Sequence, residues 1–397
     1  MAKVNRQILT RQTGHGRRLE TRLVSRTLRP LESKEILVEL LMVPIHGSFW
    51  LASDPRGVHP RYEEFLSAGE FVFGNGGVGR VIGAAPDCRR VRCGDYVSVM
   101  GHLPCRHDDC HACRVLLRYT ECEFGESMII GHGKGAPDGT YAEYCILDEI
   151  ACEVCIAADT QPSEQDLLPF MFAFLLADVR NALTRDVETL QRRRILLIGA
   201  GYSGHLAAWL LLRAFPGAQI VVADTNEDML RSIARINTKS INTVALPEPR
   251  GNTWADEAKC VLAEALRDGF GERKCEVLFD ASSGNTTVLW ADARMLGPGC
   301  HCIPFGFGSE SLLLDKACLQ ISGLKIMTSR GVGDAGNRKV AVELISAGAA
   351  ASVIEYLVSH GRRLEGLDAA SEFINRQHQS PHAAVRPPMA YMVPNRL

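Results

Sequence analysis

The 397-residue sequence lacks any apolar run long enough to cross a bilayer. Its longest runs, LLPFMFAFLLA and LAAWLLL, fall short of the roughly 20 residues that a transmembrane helix needs, and Asp178 ends the first. It also lacks a strong charge imbalance, because 44 basic and 46 acidic residues give a net charge of −2. Without a basic patch or an apolar span, we expect neither a nucleic-acid partner nor a membrane partner.

Internal repeats and low-complexity tracts are also missing, and the length favours about two folded domains. The first residues, MAKVNRQ, lack the apolar core of a secretory signal peptide. We therefore expect a cytoplasmic location, where the environment is reducing and cysteines stay free of disulfides.

Cysteine, in contrast, is abundant, with 14 residues in all. Four of them fall within the charged segment 105–122, CRHDDCHACRVLLRYTEC, which has no apolar pattern of its own: Cys105, Cys110, Cys113 and Cys122. Thiolates are soft donors, and tetrahedral Zn²⁺ accepts four of them, so a polar loop can keep a fixed shape without a hydrophobic core. The spacing predicts a closed zinc site, with free thiols or disulfides as the alternative.

The other cysteines are predicted to be core residues. Cys152 and Cys155 form a second CxxC in the apolar, strand-like segment ILDEIACEVCIAAD, where no further Cys or His pair follows closely. Burial is therefore favoured there over a second metal or redox site. The single cysteines with apolar neighbours include Cys260, Cys300, Cys302 and Cys318.

The secondary-structure pattern changes near Pro162. Before it, short β-rich runs separated by Gly, Asp and Pro predict a small barrel: EILVELLMVPIHG, GGVGRVIG, GDYVSVMG and GTYAEYCIL. After it, SEQDLLPFMFAFLLADVRNAL has helical spacing, and strands such as ILLIGAG, QIVVAD and CEVLFDASS alternate with helices such as GHLAAWLLLRAF, NEDMLRSIARI and TTVLWADARML. This alternation predicts an α/β fold with a parallel sheet. After one more helix, VAVELISAGAA, the pattern predicts an irregular C-terminus.

A GxGxxG motif lies directly between the strand ILLI and a helix, which is the context that makes the motif specific. Gly199 permits the tight turn, Gly201 lets a pyrophosphate approach the backbone, and Gly204 allows the helix to pack on the strand. Amides at the helix N-terminus, around Tyr202 and Ser203, would bind the phosphates. The motif predicts a dinucleotide site, against the alternative of a glycine-rich turn without ligand.

Asp224 ends the next strand, about twenty residues after the third glycine. A carboxylate there accepts hydrogen bonds from the adenosine ribose hydroxyls. It would also repel a 2′-phosphate, and no adjacent arginine is present to meet one. The predicted cofactor is therefore NAD rather than NADP.

Taken together, the β-rich first part, the four-cysteine loop, GDYV, GTYAEY and GAGYSG with Asp224 resemble the medium-chain dehydrogenase/reductase superfamily, especially its zinc-containing alcohol, polyol and threonine dehydrogenases. The resemblance covers about residues 30–375. It implies a GroES-like β-rich catalytic domain, residues 1–165 and 326–397, interrupted by a Rossmann domain, a doubly wound parallel sheet, at 166–325. It also implies one structural zinc per chain in loop 105–122, although the first cysteine spacing is wider than usual, and a homodimer or homotetramer.

The chain departs from this family at the catalytic metal. Where zinc enzymes have the motif CG(S/T)D, it has IHGSF, with His46 in place of the Cys; where they have GHE, it has GNG, with Asn75 in place of the His. The third ligand position is Phe174 or, on a shifted alignment, Asp178. An amide oxygen is a poor zinc ligand, so we expect no catalytic zinc. The alternative is a rebuilt site using His46 and Asp178, with Cys145 or His132.

Without that metal, hydrogen-bond donors must stabilise the charge that develops during hydride transfer. The resemblance makes Ser48 the leading candidate, because it matches the family's proton-relay hydroxyl. His46 is a possible general acid or base, or a filler of the former metal pocket, and Asn75 a possible amide donor. Phe305, Gly306 and Arg330 are expected near the nicotinamide, although a strand-end turn or a solvated arginine explains them equally well.

Three functions remain open at this point. The first is an NAD(H)-dependent oxidoreductase without catalytic zinc that acts on a small alcohol or ketone, or on an activated C=C or C=N bond. The second is a zinc-dependent alcohol or polyol dehydrogenase with the rebuilt ligand set. The third is a non-redox protein that binds NAD without turnover.

Overall fold

The structure is a computed structural model of the 397-residue chain. It describes residues 3–13, 18–45, 69–105, 107–131, 137–184, 194–248, 253–282, 289, 295–306, 323–326, 335–359, 361–379 and 390–395. The chain divides into two compact units, of which unit 1 comprises Met1–Ala177 and Val332–Leu397 and unit 2 comprises Asp178–Gly331. The domain boundaries expected after residues 165 and 325 lie 12 and 6 residues before these divisions, which follow Ala177 and Gly331.

Unit 1 is mainly β-structure. Its described strands are β1 Val4–Thr13, β2 Arg18–Thr27, β3 Glu35–Ile45, β4 Phe71–Val72, β5 Gly77–Ala84, β6 Tyr96–Val99, β7 His102–Leu103, β8 Met128–Ile129, β9 Tyr144–Asp148, β10 Cys152–Ile156, β17 Arg362–Glu365 and β18 Ala390–Val393. Seven of them form one sheet in the order β10-β6-β5-β3-β18-β17, with β9 also paired to β3. The hairpin β1–β2 joins β4 in a second sheet, and β7 pairs with β8. All four β-rich runs predicted between Glu35 and Cys152 contain strands of this unit.

Unit 1 also contains helices. Those in the described residues are α1 His111–Arg114, α2 Glu164–Leu167, α3 Ala173–Thr184, which continues into unit 2, α7 Ala335–Ser346, α8 Ala351–Ser359 and α9 Gly366–Gln379. The prediction of an irregular C-terminus was wrong, because α8, β17, α9 and β18 follow α7. The apolar residues of α9, including Leu367, Ala370 and Ile374, recur at helical spacing and are buried in the unit 1 core.

Unit 2 contains one fully parallel sheet among its described residues. Its strands are β11 Arg194–Ile198, β12 Gln219–Asp224, β13 Ile241–Ala245, β14 Cys275–Asp280, β15 Leu296–Pro304 and β16 Lys325–Ile326, in the order β13-β12-β11-β14-β15-β16. Counted from β11, this is the 3-2-1-4-5-6 order of the Rossmann fold, and its central strands are buried apolar runs. The helices are α4 Tyr202–Ala214, α5 Glu227–Ala234 and α6 Trp254–Phe270. The predicted fold class is confirmed.

Three described elements of unit 2 were not predicted from the sequence, the edge strands β13 and β16 and the helix α6. On α6, Trp254, Ala258, Leu262 and Leu266 recur every four residues and form the buried face. Cys260 lies between these positions and is exposed, so its prediction as a core residue was wrong. Cys300 and Cys302 are buried in β15 as predicted, while Cys318 lies outside the described residues. Cys152 is buried in β10 and Cys155 is half-buried there.

No single helix among the described residues has the length and apolar composition to cross a membrane. The pair α7 and α8 passes such a test together, by length and composition only, with a bend of 85° between them. Both helices bury apolar side chains within the protein, such as Ala341 and Ile345 on α7 and Ile354 and Leu357 on α8.

Candidate functional site

The GxGxxG motif forms the turn between β11 and α4. Gly199 has a φ of +94°, which an L side chain rarely adopts, and a Cβ there would lie 2.9 Å from the backbone nitrogen of Ser282. A Cβ at Gly204 would lie 2.0 Å from the carbonyl oxygen of Gly199, so this position must be small for α4 to start so close to the strand. Both glycines are therefore needed by the fold itself.

Gly201 differs from the other two glycines of the motif. It is the N-cap of α4 with a φ of −71°, and a Cβ built on it would meet no described atom within 4 Å. The fold therefore does not require glycine at this position, although the sequence has one. Open space in front of a helix N-terminus, beside the amides of Tyr202 and Ser203, fits an approaching pyrophosphate.

Asp224 lies at the end of β12, half-buried and next to the glycine turn. Its Oδ2 accepts a hydrogen bond of 2.6 Å from the backbone N–H of Ala200, and its Oδ1 accepts one of 2.9 Å from the N–H of Asn226. The carboxylate is thus fixed between the turn and the start of α5. Each oxygen of a carboxylate can accept more than one hydrogen bond, so this position also fits a pair of ribose hydroxyls.

A buried histidine, which the sequence analysis did not single out, joins α4 to α5. His205 is fully buried, with Nδ1 at 3.0 Å from the carbonyl oxygen of Gly201 and Nε2 at 2.6 Å from Oγ of Ser232 on α5. Because the carbonyl can only accept, Nδ1 carries the proton and Nε2 accepts from the serine hydroxyl. This pair ties the glycine turn to the helix that follows Asp224.

Phe305 and Gly306 lie at the end of β15. Their backbone N–H groups donate to the carbonyl oxygen of Asp280 at 2.8 and 2.7 Å, and Phe305 stacks on Phe279 with ring centroids 5.4 Å apart. A Cβ at Gly306 would lie 1.5 Å from the carbonyl oxygen of Ser282, so glycine is required by the contact between these strand ends. Arg330 lies outside the described residues.

In unit 1, the backbone of Asn75 and Gly76 packs tightly against Gly101 and Thr140. A Cβ on Gly101 would lie 2.3 Å from the carbonyl oxygen of Asn75, and Oγ1 of Thr140 donates to the carbonyl oxygen of Gly76 at 2.8 Å. The side chain of Asn75 is half-buried. His46, Ser48 and His132 lie outside the described residues, so Asn75 alone of the three predicted catalytic residues has a described position.

Phe174 packs directly on this segment. A Cβ at Gly76 would lie 2.5 Å from Cδ1 of the Phe174 ring, and the ring is buried. Cys145, one of the alternative metal ligands, is buried in β9, where its thiol donates to the carbonyl oxygen of Asp138 at 3.3 Å. Burial raises the pKa of Cys145 well above the ordinary value for a thiol, which disfavours the thiolate that a metal requires. Asp178 is half-buried on α3.

The four cysteines of loop 105–122 come together. Their sulfur atoms all lie within 4.8 Å of one another, and the sulfurs of Cys110 and Cys122 are 4.0 Å apart. Tetrahedral zinc with Zn–S bonds of about 2.3 Å needs sulfurs about 3.8 Å apart, so the donor set fits this ion. All four cysteines are buried, and the apolar cluster of the loop consists of them, Ala112 and Tyr119. The metal would take the place of a hydrophobic core.

The environment of Cys122 favours a thiolate. Burial opposes ionisation, but hydrogen bonds from the backbone N–H groups of Glu126 and Phe124 and from Cys105 and Cys113 outweigh it and lower the pKa of Cys122 to about 7. Burial raises the pKa of Cys105 and Cys113. Such thiols ionise when a metal binds, and proton release accompanies binding.

Two sets of contacts fix the backbone between Cys105 and Cys110, where the cysteine spacing is wider than usual. Arg114 donates through Nη2 to the carbonyl oxygen of Cys105 at 2.7 Å and through Nε to that of His107 at 3.1 Å. His107 stacks on Phe124 with ring centroids 4.0 Å apart and lies 2.8 Å from the carboxylate of Glu126. His107, between Cys105 and Cys110, thus packs against the end of the loop that carries Cys122.

Comparison with known proteins agrees with this architecture. Residues 32–155 match the alcohol dehydrogenase GroES-like domain. Among solved structures, an alcohol dehydrogenase from Thermus sp. ATN1 is 17% identical, with a TM-score of 0.73 over 98% of this chain and 99% of that one. An E. coli CFT073 alcohol dehydrogenase complexed with NADH is 14% identical, with a TM-score of 0.72 over 98% and 99%. A zinc-binding dehydrogenase from Sinorhizobium meliloti 1021 bound to NADP is 16% identical, with a TM-score of 0.72 over 99% and 100%.

The matched GroES-like domain in unit 1 and the Rossmann sheet with its glycine turn in unit 2 give the chain the fold of the zinc-type alcohol dehydrogenases of the medium-chain dehydrogenase/reductase superfamily. The fold implied by the resemblance of its motifs is thus confirmed.

Proposed function

We propose that this protein is an NAD(H)-dependent oxidoreductase that uses no catalytic zinc. The observation that carries the proposal is the contrast within the glycine turn: Gly199 and Gly204 are required by the fold, whereas a Cβ at Gly201, at the start of α4, would meet no atom of the described residues within 4 Å. The fold does not need a glycine at this position, but a bound cofactor would, because its pyrophosphate must approach the backbone there. The NADH and NADP complexes among the similar structures support the same cofactor class.

Residues of unit 2 would hold the cofactor, which supplies or accepts the hydride when bound. The N-terminal amides of α4, at Tyr202 and Ser203, would bind the pyrophosphate, and Asp224 would accept hydrogen bonds from the adenosine ribose. Because the carboxylate of Asp224 is anchored to the N–H of Ala200, it cannot turn away from a 2′-phosphate without losing that bond. NAD is therefore favoured over NADP. Phe305, Gly306 and Arg330 remain candidates for the nicotinamide end.

The absence of a catalytic zinc is proposed from ligand chemistry. Asn75 and Phe174 replace ligands at the matching positions, the Phe174 ring packs on Gly76, and the thiol of Cys145 donates to backbone oxygen. Ser48 would then donate a hydrogen bond to the substrate oxygen as charge develops on it, with His46 exchanging the proton and Asn75 holding the substrate or a water molecule. The substrate class that suits this chemistry is a small alcohol or ketone, or an activated C=C or C=N bond.

The four cysteines of loop 105–122 would hold one structural zinc per chain, whose chemistry is to fix the loop rather than to act on substrate. Unit 1 would form the catalytic domain and unit 2 the cofactor domain. Following the superfamily, we expect a homodimer or homotetramer, which sedimentation of the purified protein measures.

Turnover tests the proposal against its alternatives. A screen of alcohols, ketones, enones and imines with NAD or NADH, followed at 340 nm, should reveal at least one substrate class whose rate falls by about 10²-fold or more in Ser48→Ala. Saturable NADH binding without redox change across the screen would support a non-redox NAD-binding protein. Unchanged turnover in Ser48→Ala would remove that hydroxyl from the mechanism.

Metal analysis separates the zinc-free mechanism from the rebuilt zinc site. The proposal predicts about one zinc per chain, lost in Cys113→Ser. A second zinc that survives Cys113→Ser and disappears in His46→Ala or Asp178→Ala would instead identify a zinc-dependent alcohol or polyol dehydrogenase.

A further inference from the structure

Helix α7 carries an arginine whose side chain is almost entirely buried. Arg338 is 1% exposed, the largest of the fully buried side chains in the described part of the chain. Burying a guanidinium is costly unless it is hydrogen-bonded, so the surrounding residues must supply acceptors for it. Its Nη1 donates to the carbonyl oxygen of Ile150 at 3.1 Å, and its Nη2 donates to the carbonyl oxygen of His102 at 3.2 Å.

The third described contact of Arg338 is with the cysteine loop itself. Its guanidinium carbon lies 5.0 Å from the ring centroid of Tyr119, which is 1% exposed, so this cation–π contact is shielded from water. Tyr119 belongs to the same buried cluster as the four cysteines. The start of α7 touches the loop as well, because the N–H of Ala335 donates to the carbonyl oxygen of Leu117 at 3.4 Å.

These contacts fall at two related places in the sequence. His102 lies three residues before Cys105, and Tyr119 lies three residues before Cys122. Arg338 therefore holds both the strand that leads into the first ligand and the turn that leads into the last. Ile150, its other partner, packs against the cysteine cluster from the 3₁₀ helix Glu149–Ala151. One side chain thus fixes the two ends of the loop to the body of unit 1.

We propose that Arg338 is a positioning residue for the four-cysteine metal site, holding Cys105 and Cys122 at the separation that zinc requires. The inference rests on the proposed structural zinc but not on the proposed redox activity. Because coupling between two interactions is reciprocal, zinc in the loop must also stabilise the contacts of Arg338 and the first turns of α7. The metal loop and α7 would then open together rather than independently.

Zinc release is the readout that separates positioning from general stabilisation. Zinc-loaded protein is mixed with a chromophoric chelator under native conditions, and the first-order release rate is compared between wild type and Arg338→Met. We expect release to be about tenfold faster in the variant. Lys339→Met, which removes a positive charge from the neighbouring exposed position of α7, is the matched control and should release zinc at the wild-type rate.

A second variant series keeps the test decisive if Arg338→Met does not fold. Arg338→Lys keeps the charge but cannot contact two carbonyl oxygens and the ring together, so it should release zinc at an intermediate rate. Tyr119→Phe keeps the ring and should behave like wild type, whereas Tyr119→Leu removes the cation–π contact and should speed release. Hydrogen exchange of α7 should increase when zinc is removed from the wild type.

Equal release rates in Arg338→Lys, Tyr119→Leu and the wild type would overturn the inference, as would a purified protein that binds no zinc. So would hydrogen exchange of α7 that does not respond to zinc. NADH binding, measured on the same samples, should be unchanged in all these variants. Loss of the proposed cofactor binding in the wild type would therefore be recognised as a separate failure.

Discussion

At the scale of single residues, the glycine turn shows why a motif alone does not distinguish folding from function. The sequence presents Gly199, Gly201 and Gly204 as one pattern, yet only the first and third are required sterically, one by a positive φ and the other by a contact of 2.0 Å. No described atom lies within 4 Å of a Cβ built on Gly201, and the proposed role of this glycine in cofactor binding rests on that space. The two kinds of glycine should therefore respond differently to the same substitution.

Gly201→Ala should fold with nearly wild-type stability, because its φ of −71° is allowed and its Cβ meets no atom of the described residues within 4 Å. It should weaken NADH binding by at least tenfold, since the methyl group occupies the space of the pyrophosphate. Gly204→Ala is the contrasting variant and should lower the unfolding free energy by about 2 kcal/mol or more. NADH fluorescence titration and chemical denaturation measure the two effects, and equal NADH affinity in Gly201→Ala and wild type would refute the assignment.

Asp224→Asn tests the cofactor preference. The amide keeps a similar shape and one acceptor, but it loses the negative charge that disfavours a 2′-phosphate. We expect the ratio of kcat/KM for NADH over NADPH to fall by about tenfold or more, because repulsion of the 2′-phosphate is lost and the ribose loses one acceptor. A wild-type protein that prefers NADPH would contradict the role given to this carboxylate.

At the scale of elements, most strands and helices followed from the sequence, but the amphipathic helix α6 was missed although its buried residues recur at helical spacing. The strands β11, β12, β14 and β15, the helices α4 and α5, and the β-rich runs of unit 1 were predicted from their apolar patterns. The edge strand β13, with mostly exposed residues in INTVA, has no such pattern, and α9 was hidden among polar residues. Contacts such as that of Arg338 with His102 span 236 residues, which no local pattern encodes.

The link between α4 and α5 carries its own prediction. Ser232→Ala removes the hydroxyl that donates to Nε2 of His205 in a buried site, so it should lower the unfolding free energy by about 1–2 kcal/mol and weaken NADH binding. The exposed Lys239→Ala, in the same unit, should change stability by less than about 0.5 kcal/mol. If Ser232→Ala binds NADH like the wild type, the histidine link has no part in positioning the cofactor turn.

The connection between β2 and β3 provides a pH-dependent contribution to stability. Two hydrogen bonds of 2.6 Å from Arg29, joined by one from the N–H of Glu32, lower the pKa of Glu35 from its ordinary value of 4.5. A carboxyl with a lowered pKa in the folded state stabilises the fold above pH 4.5 and loses that contribution as the pH falls through the lowered value.

Glu35→Gln should therefore be less stable than the wild type at pH 7, with the difference shrinking below pH 4.5. Denaturation midpoints from pH 3 to pH 7 measure this, with the exposed Glu32→Gln as the control. A stability difference that stays constant across this range would show that Glu35 acts through shape rather than charge.

At the scale of the whole molecule, the sequence predicted the fold more firmly than it predicted the residues that would catalyse a reaction. The cysteine spacing, the glycine turn and Asp224 predicted the fold of the superfamily because each is a local motif. The proposed catalytic residues His46, Ser48 and Asn75 are harder to derive, because they act only if side chains from distant segments converge on one substrate. The central claim is that hydride transfer in this protein proceeds without a catalytic metal.

The zinc content of the active enzyme tests that claim most directly. Turnover at 340 nm and zinc per chain are measured on one sample before and after dialysis against a chelator that spares the buried cysteine site. The account predicts about one zinc per chain and an unchanged rate throughout. A second zinc whose removal abolishes turnover and whose return restores it would contradict the account.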